Sequence, residues 1–164
     1  MAIEGKGTAK RKSSMIFMNV GTSSEAEYEV IGKGIEELSR EMNNEVESNS
    51  DILGNIDVSV TKGAQVTSVD PLKFNKESKI SKKMYDIYKY DKELSDVEEE
   101  FIEVFTEDKI TEGEFAAFKQ MGAIDLKSWG GPTKSLDTPF DINWAGEKVH
   151  GAFNPSTKIF TPEA

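Results

Sequence analysis

Residues 149–161 read VHGAFNPSTKIFT, two short strand-like runs on either side of the segment Asn154-Pro155-Ser156-Thr157. Asparagine, proline and serine are typical turn residues, so this segment predicts a β-hairpin with its turn at residues 154–157. The first strand extends back to Trp144, and the second covers residues 158–161. Because the exposed edge of a strand can pair with another chain, the hairpin indicates a β fold whose edges are available for assembly.

Several other segments have the length and composition of strands. Short apolar runs bounded by turn residues occupy residues 15–20, 28–31, 65–69, 101–105 and 115–127. The clearest alternation lies at residues 56–61, where Ile56, Val58 and Val60 alternate with polar residues. This period of two predicts a half-buried antiparallel strand with Ile56, Val58 and Val60 in the sheet core. We therefore expect Val58→Asp to prevent folding, because it would bury an unpaired charge.

One segment has the periodicity of a helix. Ile80, Met84, Ile87 and Tyr88 fall on one stripe, and lysines and an aspartate surround the rest of the segment. Ser78 precedes the stripe and is predicted to be the N-cap of the helix. The stripe is narrow, so we expect these four residues to form the core face of a helix that packs on one side only, against a sheet.

Together the patterns predict roughly seven strands around one α-helix, connected by long loops. The longest predicted loop is the polar and acidic segment at residues 43–54. We expect a single β domain at residues 15–164, because that length can bury a core without disulfide bonds. Residues 1–14 are interpreted as a basic N-terminal arm ahead of this domain.

The chain is acidic overall, with a formal net charge of −10, but its N-terminus is basic. The negative balance argues against a general DNA- or RNA-binding surface, which needs a basic footprint. The basic residues of the arm are Lys6, Lys10, Arg11 and Lys12. Such an arm can dock on an acidic surface, including that of a sister subunit, or it can remain a solvated, disordered tail.

The residue types that build most catalytic and metal sites are scarce. Cysteine is absent from the sequence, which excludes a disulfide framework, a thiolate zinc site and a thiol nucleophile. The single histidine, His150, lies in a strand pattern without a partner from a recognised motif, so we interpret it as structural. Neighbouring carboxylates such as Glu98-Glu99-Glu100 point to opposite faces of a strand. We therefore expect no enzyme activity, no metal and no cofactor.

The sequence also carries no pattern of a membrane or secreted protein. No apolar run approaches the roughly 18 residues of a membrane span. The basic N-terminus is not followed by the apolar segment of a signal peptide. We therefore expect no membrane anchor.

Four segments carry a resemblance to a known family. They read MIFMNVG (15–21), IGKGIEELSREMNNEVESNSDILGNIDVSVTKGAQ (31–65), PLKFNKESKISKKMYDIYKY (71–90) and GEKVHGAFNPSTKIFTP (146–162). Their order resembles the major tail proteins, or tail tube proteins, of long-tailed bacteriophages and related contractile particles. The most telling features are Ile52-Leu53-Gly54 ahead of an alternating strand, a single helix after the loop at Pro71, and a closing strand with Gly146, Gly151 and Phe153.

The resemblance implies a β-sandwich or barrel flanked by one α-helix, with long loops. Six copies of such a protein form a ring through sheet joining, and rings stack into a hollow tube. A loop or hairpin within residues 36–52 would contact the next ring, together with the basic arm. The candidate inter-ring residues are Lys6, Lys10, Arg11, Lys12, Glu36, Glu37, Arg40, Glu45, Glu47 and Asp51.

The same resemblance implies a location and further partners. The protein would belong to the virion tail, assembled in the bacterial host cytoplasm, and would contact the tape measure, terminator and baseplate or tip proteins. DNA would pass through the lumen without specific binding, and an acidic surface suits this because DNA is densely negative. The terminal hairpin would supply strands to the sheet that lines or closes the ring.

Two other kinds of protein fit the same patterns. One is a different virion component, such as a tail terminator; a stacking loop as long as residues 36–52 favours the tube, and filament formation would discriminate between the two. The other is a ligand- or carbohydrate-binding β-sandwich module with Trp129 and Trp144 in its site. That alternative predicts a stable monomer that loses ligand binding when a tryptophan is replaced by alanine.

Overall fold

The structure of the protein, a computed structural model, describes residues 2–164. Within these residues lie eleven strands, one α-helix and two short 3-10 helices. The strands are β1 (Ala2–Ile3), β2 (Ser14–Asn19), β3 (Tyr28–Ile31), β4 (Arg40–Glu41), β5 (Glu45–Ser50), β6 (Ile56–Thr61), β7 (Val66–Val69), β8 (Glu98–Thr111), β9 (Glu114–Leu126), β10 (Phe140–Asn154) and β11 (Ile159–Pro162). The α-helix, α1, spans Lys79–Lys89, and the 3-10 helices span Arg11–Ser13 and Leu94–Val97.

Nine of these strands form one antiparallel sheet. Its order is β3-β2-β8-β9-β10-β7-β4, with β1 also paired to β8 and β11 also paired to β10. The long strands β8, β9 and β10 occupy the centre, and β5 and β6 form a separate two-stranded sheet. The prediction of a mainly β protein with one α-helix is confirmed by this arrangement.

The sheet is strongly curved. Register shifts interrupt β8 between Val104 and Lys109 and β10 between Ala145 and Val149, and such bulges bend a strand. Three strand spacings separate β2 from β10, which is about 14 Å in a flat sheet. The rings of Phe17 on β2 and Phe153 on β10 nevertheless lie only 4.8 Å apart. The sheet therefore folds over on itself like a sandwich.

Each face of the sheet carries its own apolar cluster. The larger cluster lies under α1 and includes Met18, Phe101, Ile142 and the helix residues Ile80 and Met84. The smaller cluster lies on the opposite face, inside the curl, and is built from Phe17, Tyr28, Ile102, Val104, Ala117 and Phe153. Both faces of β8 are thus covered at residues 101–105, which explains the nearly continuous apolar run in that part of the strand.

Helix α1 is positioned by a capped N-terminus. Ser78 is the N-cap, as predicted, and its hydroxyl accepts a hydrogen bond from the Ser81 backbone N–H at 3.4 Å. Glu29 of β3 accepts from the Ile80 backbone N–H at 2.9 Å and from the Ser78 hydroxyl at 2.8 Å. A carboxylate at this end also interacts favourably with the helix dipole. These bonds attach the helix to the edge strand β3.

The predicted core face of α1 is correct for three of its four residues. Ile80 and Met84 are buried, and Ile87 is partly buried against the same cluster. Tyr88 is a correction, because it is exposed and its ring stacks at 4.6 Å on Trp129. An aromatic residue at the edge of the apolar stripe of a helix can pack its ring against a loop instead of against the core.

The predicted sheet core at Ile56, Val58 and Val60 is wrong. These residues form strand β6, but all three are exposed, Val58 by 63%. The prediction of a loop at residues 43–54 is also wrong in part, because Glu45–Ser50 is strand β5 and pairs with β6. The two strands stand apart from the main sheet, so the reason for expecting Val58→Asp to prevent folding does not hold.

The terminal hairpin forms as predicted. Phe153 pairs with Phe160, and Asn154 pairs with Ile159. The side-chain oxygen of Asn154 accepts hydrogen bonds from the backbone N–H groups of Ser156 at 2.9 Å and Thr157 at 3.2 Å. This Asx turn explains why asparagine opens the connection.

Replacing Met84 with alanine is expected to lower the free energy of unfolding by about 2–5 kcal/mol, because it leaves a cavity between helix and sheet. Met84 is fully buried, whereas Lys82 on the same helix is exposed. Urea unfolding followed by circular dichroism measures the change, with Lys82→Ala as the matched control. Equal losses in the two variants would contradict this packing.

Candidate functional site

The basic N-terminal segment is attached to the sheet at both ends. Ile3 of β1 pairs with Asp108 of β8, and the hydroxyl of buried Ser13 donates to Glu107 Oε1 at 2.7 Å. Between these two attachments, residues 4–10 are exposed. The segment is therefore an exposed loop rather than a free tail.

The four basic residues predicted as inter-ring contacts lie along this segment. Lys6, Lys10 and Lys12 are exposed. Arg11 is also exposed, and its guanidinium donates to the backbone oxygens of Leu38, at 2.9 Å, and of Ser14. The charges of the three lysines are available to a partner, while part of the Arg11 guanidinium is used inside the chain.

Arg40 is a correction among the predicted inter-ring residues. Glu36 and Glu37 are exposed, but the side chain of Arg40 is only 9% exposed. Its guanidinium donates to Glu103 Oε2 at 2.9 Å, to Gln120 Oε1 at 2.9 Å and to Gln65 Oε1 at 3.0 Å. Arg40 therefore stabilises the fold of its own chain rather than contacting a neighbour.

Arg40 is held between polar and aromatic partners. Its guanidinium lies over the ring of Trp144, 3.9 Å from the ring centroid, which is a favourable cation–π arrangement. Burial lowers the pKa of Arg40, and the neighbouring Glu103 partly offsets this effect. The ring of Trp144 is oriented by its indole N–H, which donates to the Thr67 hydroxyl at 2.8 Å. We call Arg40, Glu103, Gln65, Gln120 and Trp144 the arginine cluster.

The arginine cluster fixes the edge strand β4. Arg40 pairs through its backbone with Thr67 of β7, while its side chain reaches Glu103 on β8. Four strand spacings separate β4 from β8 in the sheet order, about 19 Å in a flat sheet. The ion pair therefore joins two strands that only the curvature of the sheet brings together.

The β5–β6 hairpin begins immediately after β4, and its base is tightly held. Asn43 has a positive φ of 52°, and its side-chain amide donates to the Ala64 backbone oxygen at 2.7 Å. Gly63 is required opposite it, because a Cβ at this position would lie 1.6 Å from the Asn43 backbone oxygen. The arginine cluster and this close contact together set the direction in which the hairpin leaves the sheet.

The hairpin has one apolar face and one acidic face. Val46 pairs with Val60, Ser48 with Val58 and Ser50 with Ile56. Because directly opposite residues share a face, the four aliphatic side chains lie together. The other face carries Glu45, Glu47, Asn49, Asp57, Ser59 and Thr61. The predicted contact residues Glu45 and Glu47 thus lie on the face opposite the aliphatic residues.

The apolar face of the hairpin is uncovered. Val46, Ile56, Val58 and Val60 are each between 63% and 67% exposed. An isolated two-stranded hairpin is only marginally stable in water, and a contiguous exposed apolar patch indicates an interaction site. We therefore identify this face as the candidate functional surface of the protein.

The tip of the hairpin extends this surface. Ile52 and Leu53 are both highly exposed. The carboxylate of Asp51 accepts from the backbone N–H groups of Leu53 and Asn55 and from the Asn55 side chain, each at 2.9 Å. These hydrogen bonds hold the pKa of Asp51 below its usual value, and the bond from the Asn55 side chain contributes most. The carboxylate of Asp51 therefore shapes the turn that presents Ile52 and Leu53.

The residues considered for other kinds of site are placed elsewhere. His150 is exposed on β10, and its ring lies 6.3 Å from that of Phe118. Across residues 2–164, no group of three or more His, Cys, Asp or Glu side chains is arranged to hold a metal ion. Over the same residues, no helix has both the length and the apolar character needed to cross a membrane.

The two tryptophans contact different parts of the fold. Trp144 belongs to the arginine cluster and packs against the larger core. Trp129 stacks on Tyr88 and lies 5.9 Å from the rings of Tyr85 and Phe74. Trp129 therefore belongs to an aromatic group on the surface of the helix, whereas Trp144 packs against the interior of the fold.

A scan against models of protein families finds no match for this chain. A search of curated proteins also finds no matching relative. The function of this chain must therefore be inferred from its exposed surfaces and from the resemblance in its sequence.

The sequence predicted a loop or hairpin within residues 36–52 and a separate core strand at residues 56–61, whereas one exposed hairpin spans residues 45–61. Strand β5, Glu45–Ser50, contains a single aliphatic residue, so it shows no alternation that would reveal a strand. The signal that could have found it is the turn-forming segment at residues 51–55, which directly precedes a clear strand. No pattern in the sequence indicates that Arg40 is buried, because arginine is normally a surface residue.

Replacing Arg40 with methionine is expected to lower the free energy of unfolding by about 3–5 kcal/mol, because it leaves Glu103 without its cation. Chemical unfolding measures this loss. Glu41→Gln, at the neighbouring exposed position, is the matched control and should have little effect. Adding Glu103→Leu to Arg40→Met should restore part of the stability. An Arg40→Met variant as stable as the parent would contradict a structural role for this residue.

Proposed function

We propose that this protein is a structural subunit of a phage or phage-like tail tube, which assembles with copies of itself into stacked hexameric rings. The observation that carries the proposal is the exposed apolar face of the β5–β6 hairpin. Exposing four aliphatic side chains to water is unfavourable in free energy for a monomer, and burying them in an assembly is favourable. In this proposal the hairpin contacts a neighbouring subunit.

Other features of the chain support a self-assembling subunit. The hairpin lies at residues 45–61, in and just after the segment that the tail tube resemblance assigns to contact with the next ring. The strands β3, β4 and β11 lie at the margins of the main sheet, where unpaired backbone groups can join a neighbouring sheet. A closed ring can pair such edges, and further contacts between rings extend it into a tube.

The proposal also specifies the surroundings of the protein. The tube belongs to the virion tail, is assembled in the bacterial host cytoplasm and contacts tape measure, terminator and baseplate or tip proteins. DNA passes through its lumen without specific binding, which the net charge of −10 favours by repulsion.

A ligand-binding module is the second candidate. The exposed rings of Tyr85 and Tyr88, with Trp129 stacked on Tyr88, form an aromatic surface of the kind that can hold a flat ligand. This candidate leaves the apolar face of the hairpin unexplained, and it predicts a monomer.

Purified protein is expected to form rings or tubes as its concentration rises, visible by negative-stain electron microscopy. Val58→Asp should abolish these assemblies, because it places a charge in the buried interface, while circular dichroism shows an unchanged fold. Ser59→Asp is the matched control, since the adjacent residue lies on the acidic face of the hairpin, and it should assemble normally.

Two results would contradict this proposal. A parent protein that stays monomeric at every concentration would favour the ligand-binding candidate. Rings or tubes of Val58→Asp that match those of the parent would show that the apolar face of the hairpin is not the contact.

A further inference from the structure

A second uncovered apolar surface lies on the main sheet. It is an open cleft of about 830 Å³ that crosses strands β8, β9, β10 and β11. Apolar side chains along it include Phe105, Ile110, Ala116, Phe118 and Ala152. Each of these residues is at least partly exposed. The same chain therefore carries two separate apolar surfaces, the cleft and the hairpin face, and neither covers the other.

The cleft also contains a buried carboxylate that lacks a partner. Asp108 lines the cleft and is only 6% exposed, and its Oδ1 has no hydrogen-bond partner among residues 2–164. Leaving a buried acceptor unsatisfied is unfavourable. Asp108 therefore adds an acidic group to the lining of the cleft.

We propose that this cleft receives the apolar face of the β5–β6 hairpin from a second copy of the chain. The inference rests on the proposed function and names the surface that accepts the hairpin. Val46, Ile56, Val58 and Val60 match the apolar lining of the cleft. Ser48 and Ser50 lie among them on the same face, and neither brings a charge into the contact.

The distribution of charge favours this orientation. The cleft is bordered by the acidic residues Asp108, Glu114 and Glu163, while the carboxylate of Glu103 at its margin is paired with Arg40. All of the acidic side chains on strands β5 and β6 lie on the other face of the hairpin, at Glu45, Glu47 and Asp57. Docking through the apolar face keeps these acids in water and away from the acidic border. Docking through the opposite face would place like charges together.

The geometry of the contact suits a repeating assembly. Hairpin and cleft are different surfaces of one chain, so the contact is head to tail, and such contacts generate rings or helical filaments. The six-residue strands of the hairpin are about 20 Å long, which is enough to lie across several strands of the receiving sheet. Each copy would then both offer a hairpin and accept one.

Cross-linking between two differently tagged variants tests the contact directly. The chain contains no cysteine, so Val58→Cys in one copy and Ala116→Cys in the other introduce the only thiols. After mixing at a concentration that permits assembly, a short bis-maleimide reagent is expected to link the two tagged chains. Ser59→Cys replaces Val58→Cys as the matched control and should give little mixed product, because its side chain is on the opposite face. Circular dichroism verifies each fold, and Ala152→Cys substitutes for Ala116→Cys if that variant does not fold.

The outcomes separate this inference from the proposed function. Assemblies that give the Val58→Cys to Ala116→Cys product, with little product from Ser59→Cys, support both. Assemblies without this mixed product, or with equal product from the control, overturn the cleft as acceptor and leave the tube proposal standing. Protein that neither assembles nor cross-links at any concentration overturns both.

Discussion

The ion pair between Arg40 and Glu103 is the interaction on which the rest of the structure depends. It joins β4 to β8 on the face of the sheet that carries the larger apolar cluster, with Trp144 against the guanidinium. A buried charge is tolerated only when it is paired and hydrogen-bonded, so the curvature of the sheet and the arginine cluster require each other. The β5–β6 hairpin begins four residues after β4 ends. By fixing β4, the arginine cluster therefore also fixes the base of the hairpin.

The hairpin is held at its base, but its apolar face is exposed to water. Two apolar cores pack against the curved sheet. Four aliphatic residues of the hairpin are nevertheless exposed to water. The hydrophobic effect makes that surface costly to a monomer and favourable to an assembly. The same chain also carries an uncovered apolar cleft on β8, β9 and β10, and we propose that the hairpin of a second copy fills it.

The sequence predicted those elements whose signals are local. Ser78 as a cap, Ile80 and Met84 as core residues and the turn at Asn154 follow from side-chain chemistry within a few residues. The exposure of Val58 could not be predicted, because a period of two shows which residues share a face but not which face a core covers. The burial of Arg40 could not be predicted either, because its partner Glu103 lies 63 residues away and meets it only after the sheet has curved.

Hydrogen–deuterium exchange of the backbone amides at residues 45–61, in dilute monomer and in concentrated protein, tests the central claim that another copy covers the hairpin. The account predicts fast exchange in the monomer, because a two-stranded hairpin opens readily without a packed face. It predicts strong protection of the same amides in the assembled protein, while the amides of β9 remain protected in both. Exchange of the hairpin that is equally fast at every concentration, in protein that has assembled, would contradict the account.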